Sequence, residues 1–428
     1  MKQEKRVPKR RFREFSEAWN EQPFGEVFDT SVPTNTFARD DLNDVAGTVR
    51  DIHYGDVLIK YPAVVDARKE DIPYLNEGIF TIADERQYLQ NGDIVMADTA
   101  EDETAGKVVE LENAEEHSVV AGLHTMVLRP IFPFGAKFLG YKINAPSYHE
   151  QLIPLMQGTK VTSVNKQALS ETNIAYPSSL AEQERIGEFL YRLDALISLH
   201  ERKLQKLAHL KQAYLAEMFP DKGERQPRRR FKGFSGDWET IRLQDITTKI
   251  GSGKTPLGGS STYIHDGIPL IRSQNVNHSR IDLSDVVFID SSTDEEMKNS
   301  RVQPGDVLLN ITGASIGRSA VYSFSQPANV NQHVCIIRPK GKIDSTFLQL
   351  HLESKNGQKQ IDESQAGGAR EGLNFKMVGQ LHFLFPSRAE QQKIGAFFQV
   401  MDKKLQSEHQ KLAKLRALKQ AYLSELFV

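Results

Sequence analysis

Residues 181–219 read AEQERIGEFLYRLDALISLHERKLQKLAHLKQAYLAEMF, and residues 389–427 read AEQQKIGAFFQVMDKKLQSEHQKLAKLRALKQAYLSELF. The two stretches align without a gap and 19 of their 39 positions are identical. Average residue usage would give roughly two to three identities by chance. Leu190, Leu193, Ile197, Leu204, Leu207, Tyr214 and Met218 fall at alternating three- and four-residue steps, broken by polar gaps at His200 and Lys211. The second copy places Phe398, Met401, Leu405, Leu412, Leu415, Tyr422 and Leu426 on the same steps, with gaps at Glu408 and Lys419. This is a coiled-coil seam, and Pro220 and Gly223 close the first helix. Each helix is expected to run about 58 Å at 1.5 Å per residue. Matching seams predict antiparallel pairing, with His200 and Glu408 in a polar stretch that helps fix register. The competing reading packs each helix on its own neighbouring domain.

A second echo lies outside the helices. Pro8-Lys9-Arg10-Arg11-Phe12 recurs as Pro227-Arg228-Arg229-Arg230-Phe231, and Phe15-Ser16 recurs as Phe234-Ser235. Trp19 falls in register with Trp238, and these are the only two tryptophans. A repeat this long is a duplicated domain rather than a solenoid unit of about 20–50 residues. Between the anchors the copies diverge, but a skeleton persists. Gln90-Asn91-Gly92-Asp93-Ile94-Val95 resembles Gln303-Pro304-Gly305-Asp306-Val307-Leu308, and His124…Arg129-Pro130 resembles His333…Arg338-Pro339.

The plan is therefore variable, constant, variable, constant. Residues 1–180 form a first globular domain with a basic N-terminal segment, and 181–219 a central helix. A basic linker follows at 220–238, then a second globular domain at 239–388 and a C-terminal helix at 389–428. The expected class is α+β: two mixed α/β domains separated by two long helices in an antiparallel coiled coil, a pseudo-two-fold internal duplication. Runs 92–97, 124–129, 305–311 and 333–338 carry the strand pattern. A helix is expected from Asp344 or Ser345, with Phe347, Leu348 and Leu352 facing inward.

Composition bounds the function. A chain of 428 residues, 39% hydrophobic and 26% charged, is expected to fold as two or more soluble domains. No apolar run approaches the ~18–20 residues that span a membrane, so the cytoplasm is the expected location. The single cysteine, Cys335, sits in an apolar stretch and reads as a buried core residue. Net charge is −2, which argues against a wholly basic nucleic-acid coat but not against a local positive face. Lys2, Lys5, Arg6, Lys9, Arg10, Arg11 and Arg13 crowd the N-terminus, and Lys222, Arg225, Arg228, Arg229, Arg230 and Lys232 crowd the middle. Phosphate contacts, a solvated linker and a partner-docking surface all suit segments 9–13 and 228–232.

Self-contained catalysis finds no support. Gly251-Ser252-Gly253-Lys254-Thr255 lacks the upstream glycine of a phosphate-binding loop, since Thr248 stands there. It reads as a turn after a strand, although Lys254 is free to touch a phosphate. There is no Asn-Pro-Pro-Tyr/Phe tetrapeptide of an amino-methyltransferase, and the histidines show no zinc-ligand spacing. His124 and His333 read as core or turn residues, and Asp98…Glu101-Asp102-Glu103 as a solvated loop.

Two divergent domains alternating with two near-identical helices resemble the specificity subunit of type I restriction–modification systems. The wording agrees at Phe231-Lys232-Gly233-Phe234-Ser235-Gly236-Asp237-Trp238, Ile271-Arg272-Ser273-Gln274-Asn275-Val276, Thr312-Gly313-Ala314-Ser315-Ile316-Gly317-Arg318 and Asn331-Gln332-His333. In the first domain, Ile52-His53-Tyr54-Gly55-Asp56-Val57 and residues 97–104 look like another variant of the family domain. The resemblance implies a non-catalytic subunit that reads a bipartite double-stranded DNA target, one half per domain. It implies two modification (methyltransferase) subunits carrying S-adenosylmethionine, and restriction subunits using ATP and magnesium, with no cofactor on this chain. A coiled-coil regulator and a stand-alone adenine methyltransferase are the rival readings. Polar and aromatic residues near strand ends are the expected DNA contacts. These are Arg272, Gln274, Asn275, Thr312, Ser315, Arg318 and Gln332 in the second domain, and Tyr54, Lys60, Tyr61, Thr99 and Lys107 in the first.

Overall fold

In the computed structural model, residues 7–69, 71–80, 84–158, 160–365 and 372–428 are described; Lys2, Lys5 and Arg6 lie outside them. The chain divides into two compact units, Met1–Glu201 with Gln410–Val428, and Arg202–His409. Each unit thus takes half of each long helix, Leu180–Met218 and Arg388–Glu425.

Each unit is built on an antiparallel sheet whose central strands are buried on both faces. In the first unit, Thr125–Pro130 pairs with Ile94–Ala97, which pairs in turn with Val108–Glu112. Strand Val64–Asp66 is added parallel at the edge. Ile94 and Met96 point into one core, and Val95 and Ala97 into another. This period-two alternation explains why the strand reads as an unbroken apolar run. In the second unit the order is Thr247–Ser252, Val334–Pro339, Val307–Asn310, Ser319–Val321. Val307 and Leu309 face the helices, whereas Leu308 faces a smaller core with Val334 and Ile336. Cys335 is fully buried, and burial pushes its thiol pKa up to about 12. Asp344 caps helix Ser345–Glu353, with Phe347, Leu348 and Leu352 inside, as the sequence indicated.

The same lock recurs at one end of both sheets. Arg129 donates to both carboxylate oxygens of Asp93 at 2.8 and 2.6 Å, and Arg338 to both of Asp306 at 2.7 and 2.8 Å. The preceding glycines, Gly92 and Gly305, take φ of +85° and +93°. The tight turn therefore requires glycine. These are the residues of the sequence echo, now seen as pairs.

Within each unit the helix segments run antiparallel. In the first, Asp194 meets Lys419 and Glu201 meets Arg416, each at 2.6 Å. In the second, Lys203 meets Glu408 at 2.8 Å and Lys211 meets Asp402 at 2.6 Å. Three polar residues of the seam, Lys211, Glu408 and Lys419, thus make cross-helix ion pairs, Lys211–Asp402 and Lys419–Asp194 being equivalents. Packing on neighbouring domains occurs as well. Ile186, Leu190, Leu423, Leu426 and Phe427 enter the first unit's core, and Leu215, Met218, Phe219, Ile394 and Phe398 the second's.

The basic repeats have a structural use that local charge did not reveal. Arg11 donates to both oxygens of Glu182 at 2.6 and 2.7 Å, and Arg230 to both of Glu390 at 2.7 Å. Both glutamates are 1% exposed and lie in the first turn of a long helix. The preceding arginines grip the end of the other helix: Arg10 pairs with Glu425 at 2.6 Å, and Arg229 pairs with Glu217. Each also lies over a tyrosine ring, Tyr422 or Tyr214. Arg228 pairs with Asp221, and Lys222 with Glu363. Trp19 then packs edge-on against Phe427, as Trp238 does against Phe219. These segments are staples for the helix ends: Arg11 and Arg230 are committed to buried pairs, while Arg10, Arg228 and Arg229 make exposed ion pairs.

Removing one partner of a buried ion pair leaves the other charge uncompensated, at a cost of about 3–5 kcal/mol. Arg230→Met is therefore expected to lower the denaturation midpoint of the second unit by roughly that energy. Adding Glu390→Met should recover most of it. Chemical denaturation of the three proteins checks this.

Candidate nucleic-acid interface

Strand register brings three connecting segments together at the other end of the second unit's sheet. Ser252 pairs with Cys335 and Asn310 with Val334, so residues 253–258, 311–318 and 331–333 continue side by side beyond those rungs. Gly253 N donates to the Asn331 carbonyl at 3.2 Å, and Ile311 N to that of His333 at 3.0 Å. A β-carbon on Gly253 would fall 1.5 Å from the Val330 carbonyl oxygen. That approach, not phosphate binding, accounts for the glycine before Lys254. The element that follows is a short 3-10 turn, Gly259–Thr262, rather than the helix a phosphate loop needs. A fourth segment joins them, because Asn310 Nδ2 donates to the Ser273 and Val276 carbonyls at 2.9 and 3.2 Å.

The residues nominated in this unit therefore share one end of one sheet. Gln274 and Gln332 are exposed, and Arg272, Thr312, Ser315 and Arg318 half-buried. Asn275 is a correction: it is fully buried. Its Oδ1 accepts from Arg272 N at 2.9 Å, and its Nδ2 donates to the Asp282 carbonyl at 3.0 Å and Asp285 Oδ1 at 2.8 Å. It holds the turn that presents Arg272 and Gln274. His333 sits at the centre of the face. Its Nδ1 lies 2.6 Å from Thr312 Oγ1, and its Nε2 lies 3.1 Å from Gln332 Nε2. Thr255 Oγ1 donates to Gln332 Oε1 at 2.5 Å.

The first unit repeats the arrangement with other side chains. Ala97 pairs with Thr125, and Asp98 N donates to the His124 carbonyl at 3.1 Å. His124, with φ of +54°, turns its ring between Tyr54 (centroids 5.3 Å apart, edge-on) and Asp98 (Nδ1 to Oδ1 3.7 Å). Thr99 Oγ1 donates to the same Asp98 oxygen at 2.7 Å. Tyr54 is placed by helix Tyr54–Ile59, which His53 caps by accepting from Gly55 N at 3.2 Å. Lys107 reaches the Leu58 carbonyl at 2.7 Å, and burial holds its pKa below the usual range. Tyr54 and Thr99 are thus gathered, whereas the Lys107 ammonium lies at the C-terminal turn of that helix. Lys60 and Tyr61 lie at the far end of that helix, both directed at the Asp71 carbonyl. Tyr61 is 3% exposed and belongs to the core, which corrects its nomination as a contact.

Sequence reasoning missed the two histidines. The signal was present in the echo His124…Arg129-Pro130 and His333…Arg338-Pro339, but a strand-start histidine looks the same whether it serves a turn or a binding face. The acidic run 101–103 is exposed in a turn. Among the described residues no cluster of His, Cys, Asp or Glu is placed to hold a metal ion, and no helix is long and apolar enough to cross a membrane.

The sequence model of the type I restriction modification DNA specificity domain matches residues 49–209 and 235–417. The chain belongs to this family. Among curated relatives, the type I restriction enzyme EcoBI specificity subunit of Escherichia coli is 27% identical over 304 residues, 66% of this chain and 63% of that protein. The chain thus spans less than two thirds of that relative's length. A putative MjaX specificity subunit of Methanocaldococcus jannaschii is 23% identical over 198 residues, 45% of each chain. The fold is shared with the S subunit of a type I restriction-modification system from M. genitalium, with a TM-score of 0.58 at 16% identity over 99% of both chains. Family membership favours the specificity-subunit reading over the regulator and the stand-alone methyltransferase.

One titratable group of this specificity protein lies beneath the first face. Asp51 immediately precedes Ile52 and His53, and burial raises its carboxyl pKa to about 7. Asn35 Nδ2 donates to its Oδ2 at 2.6 Å, and its Oδ1 is buried without a partner among the described residues. A carboxyl whose pKa is raised by folding stays protonated in the native state while the unfolded chain ionises. Stability therefore falls as pH rises from about 4 to about 7, by up to about 1.4 kcal/mol per unit. Asp51→Asn is expected to match the wild type near pH 4 and to exceed it by roughly 2–4 kcal/mol at pH 8. Denaturant midpoints across that range check the sign.

Proposed function

We propose that this chain is the DNA-recognition subunit of a type I restriction–modification enzyme, each unit reading one half of a bipartite double-stranded target. The observation that carries this reading is the recurrence of one frame with two different polar faces. Both units set a histidine among polar groups on the same end of an equivalent sheet, opposite an Arg–Asp lock that recurs in both. A duplicated frame with unlike faces suits a split target whose two halves differ in sequence. Arg318, Arg272 and Lys254 supply cations beside the second face, where they suit phosphate contacts that position the reader.

On this reading the chain is non-catalytic and acts in the cytoplasm. The antiparallel helices serve as the scaffold for two modification subunits, and restriction subunits join the assembly. S-adenosylmethionine belongs to the modification subunits, and ATP and magnesium to the restriction subunits. The absence from the sequence of an amino-methyltransferase tetrapeptide and of a phosphate-binding loop supports that division.

Exchanging residues 239–388 for the second recognition domain of another family member tests the proposal. In a host expressing the modification subunits, sequencing of methylated DNA should show one half of the motif changed and the other kept. If both halves change, independent reading by the two units fails.

A further inference from the structure

One hairpin of the second unit is fastened at its turn to a long helix. Strands Val276–Asn277 and Arg280–Ile281 pair antiparallel over two rungs, with His278 and Ser279 turning between them and Ser279 at φ of +58°. Asp282 N donates to the Asn275 carbonyl at 2.8 Å and closes the base of this arm, where Arg272 and Gln274 are presented. A hairpin of two rungs is not stable by itself, so its orientation is set by what its ends are fastened to. Asn310 fastens the base to the sheet. Ser279 fastens the turn.

The bonds of the Ser279 hydroxyl run in one direction only. Lys211 Nζ lies 3.1 Å from Oγ, and an ammonium only donates. Glu353 Oε2 lies 3.0 Å from the same oxygen, and a carboxylate only accepts. The hydroxyl therefore accepts from the lysine and gives its one proton to the glutamate. With that proton committed, Gln349 Nε2 at 3.3 Å is the donor to the remaining lone pair. Ser279 N donates to Glu353 Oε1 at 2.9 Å. The Lys211 and Glu353 side chains are 9% and 5% exposed, so these bonds are made largely out of water. Lys211 also pairs with Asp402 of the other helix at 2.6 Å. Both long helices and the globular part of the unit thus meet at one ammonium.

The equivalent lysine of the first unit meets a different group. Lys419 pairs with Asp194 at 2.6 Å, and Tyr141 donates its hydroxyl to Asp194 Oδ2 at 2.9 Å. Tyr141 belongs to helix Phe138–Ile143, buried along its whole length, rather than to a loop of the face.

We infer that Lys211 is a positioning residue for DNA reading by the second unit, acting through Ser279 on the arm that presents Arg272 and Gln274. The inference rests on the DNA-recognition reading above. A side chain that reads a ligand must be held within about 0.5 Å of its productive place, and an arm fastened at its base only is free to swing at its turn.

The assembled methyltransferase and sequencing of methylated host DNA test this. Exchange of residues 239–388 identifies the half of the motif that belongs to the second unit. Ser279→Ala keeps the Lys211–Asp402 pair and removes only the hydroxyl that joins it to the arm. The preference of the second half for its own bases over single-base variants should fall by roughly 2- to 30-fold, the range for substitutions that act on a site from outside it. The first half should stay as selective as in the wild type. Lys211→Met should have the same effect. Lys419→Met is the matched control: it breaks the equivalent ion pair, and is expected to lower the denaturation midpoint as Lys211→Met does while both halves stay selective. A role in stability alone would lower methylation at all sites together and would not distinguish the two lysines. The inference is overturned if Ser279→Ala leaves the second half as selective as the wild type, if it relaxes both halves, or if Lys419→Met relaxes the motif as Lys211→Met does. Should Lys211→Met not fold, Ser279→Ala decides by the same criterion. Failure of the underlying reading shows earlier, in a wild-type motif that is not bipartite or an exchange that alters both halves.

Discussion

A buried carboxylate at the start of each long helix is the constraint from which the rest of the architecture follows. Glu182 and Glu390 lie almost wholly out of water, where an unpaired charge is prohibitive. Each is neutralised by a two-pronged arginine from a segment far away in the chain, Arg11 or Arg230. The planar guanidinium matches the carboxylate in one orientation only, so the pair fixes where the helix begins and which face it turns inward. The neighbouring arginine fastens the end of the other helix. A short basic segment thereby joins the start of one helix to the end of the next, and antiparallel pairing within each unit is the geometric result. Lys211–Asp402 and Lys419–Asp194 then set register where an apolar seam alone would tolerate slippage.

With the helices fixed, the sheet between two cores has one end locked and one end open. Asp93–Arg129 and Asp306–Arg338 close the first end, with positive-φ glycines in the tight turns beside them. The opposite end carries the loops around His124 and His333. Strand residues alternate between two filled cores, and Ile311 and Tyr54 tie the loops of this end to those cores. Rigid strands hold the face, and connecting segments of variable sequence compose it.

The helices, the duplication and the alternation of domains were legible because periodicity and internal repetition survive in a linear sequence. So was the helix after Asp344, since a capping residue followed by an inward stripe is a local signal. The Asp–Arg locks were visible as echoes but not as pairs, because 36 residues separate Asp93 from Arg129 and only the strand register brings them together. The basic repeats left phosphate contacts, a solvated linker and a docking surface open, and the buried pairs of Arg11 and Arg230 were not legible because charge is local information whereas burial is not. Tyr61 and Asn275 failed for the same reason. Residue type near a strand end says nothing about whether the side chain turns into the core, as Tyr61 does, or back onto its own turn, as Asn275 does. The face itself was only half visible, since its central histidines are defined by neighbours distant in sequence.

The two faces share a frame but carry different polar groups beside the histidine. In the first unit His124 stands beside Asp98, whose carboxylate also takes the Thr99 hydroxyl. In the second unit the histidine stands beside the Thr312 hydroxyl and the Gln332 amide. Those groups offer both donor and acceptor. The side chains beside the histidine thus differ between the units, while the Arg–Glu staples and the Arg–Asp locks recur. The recurring locks and the differing polar groups lie on opposite ends of the same strands.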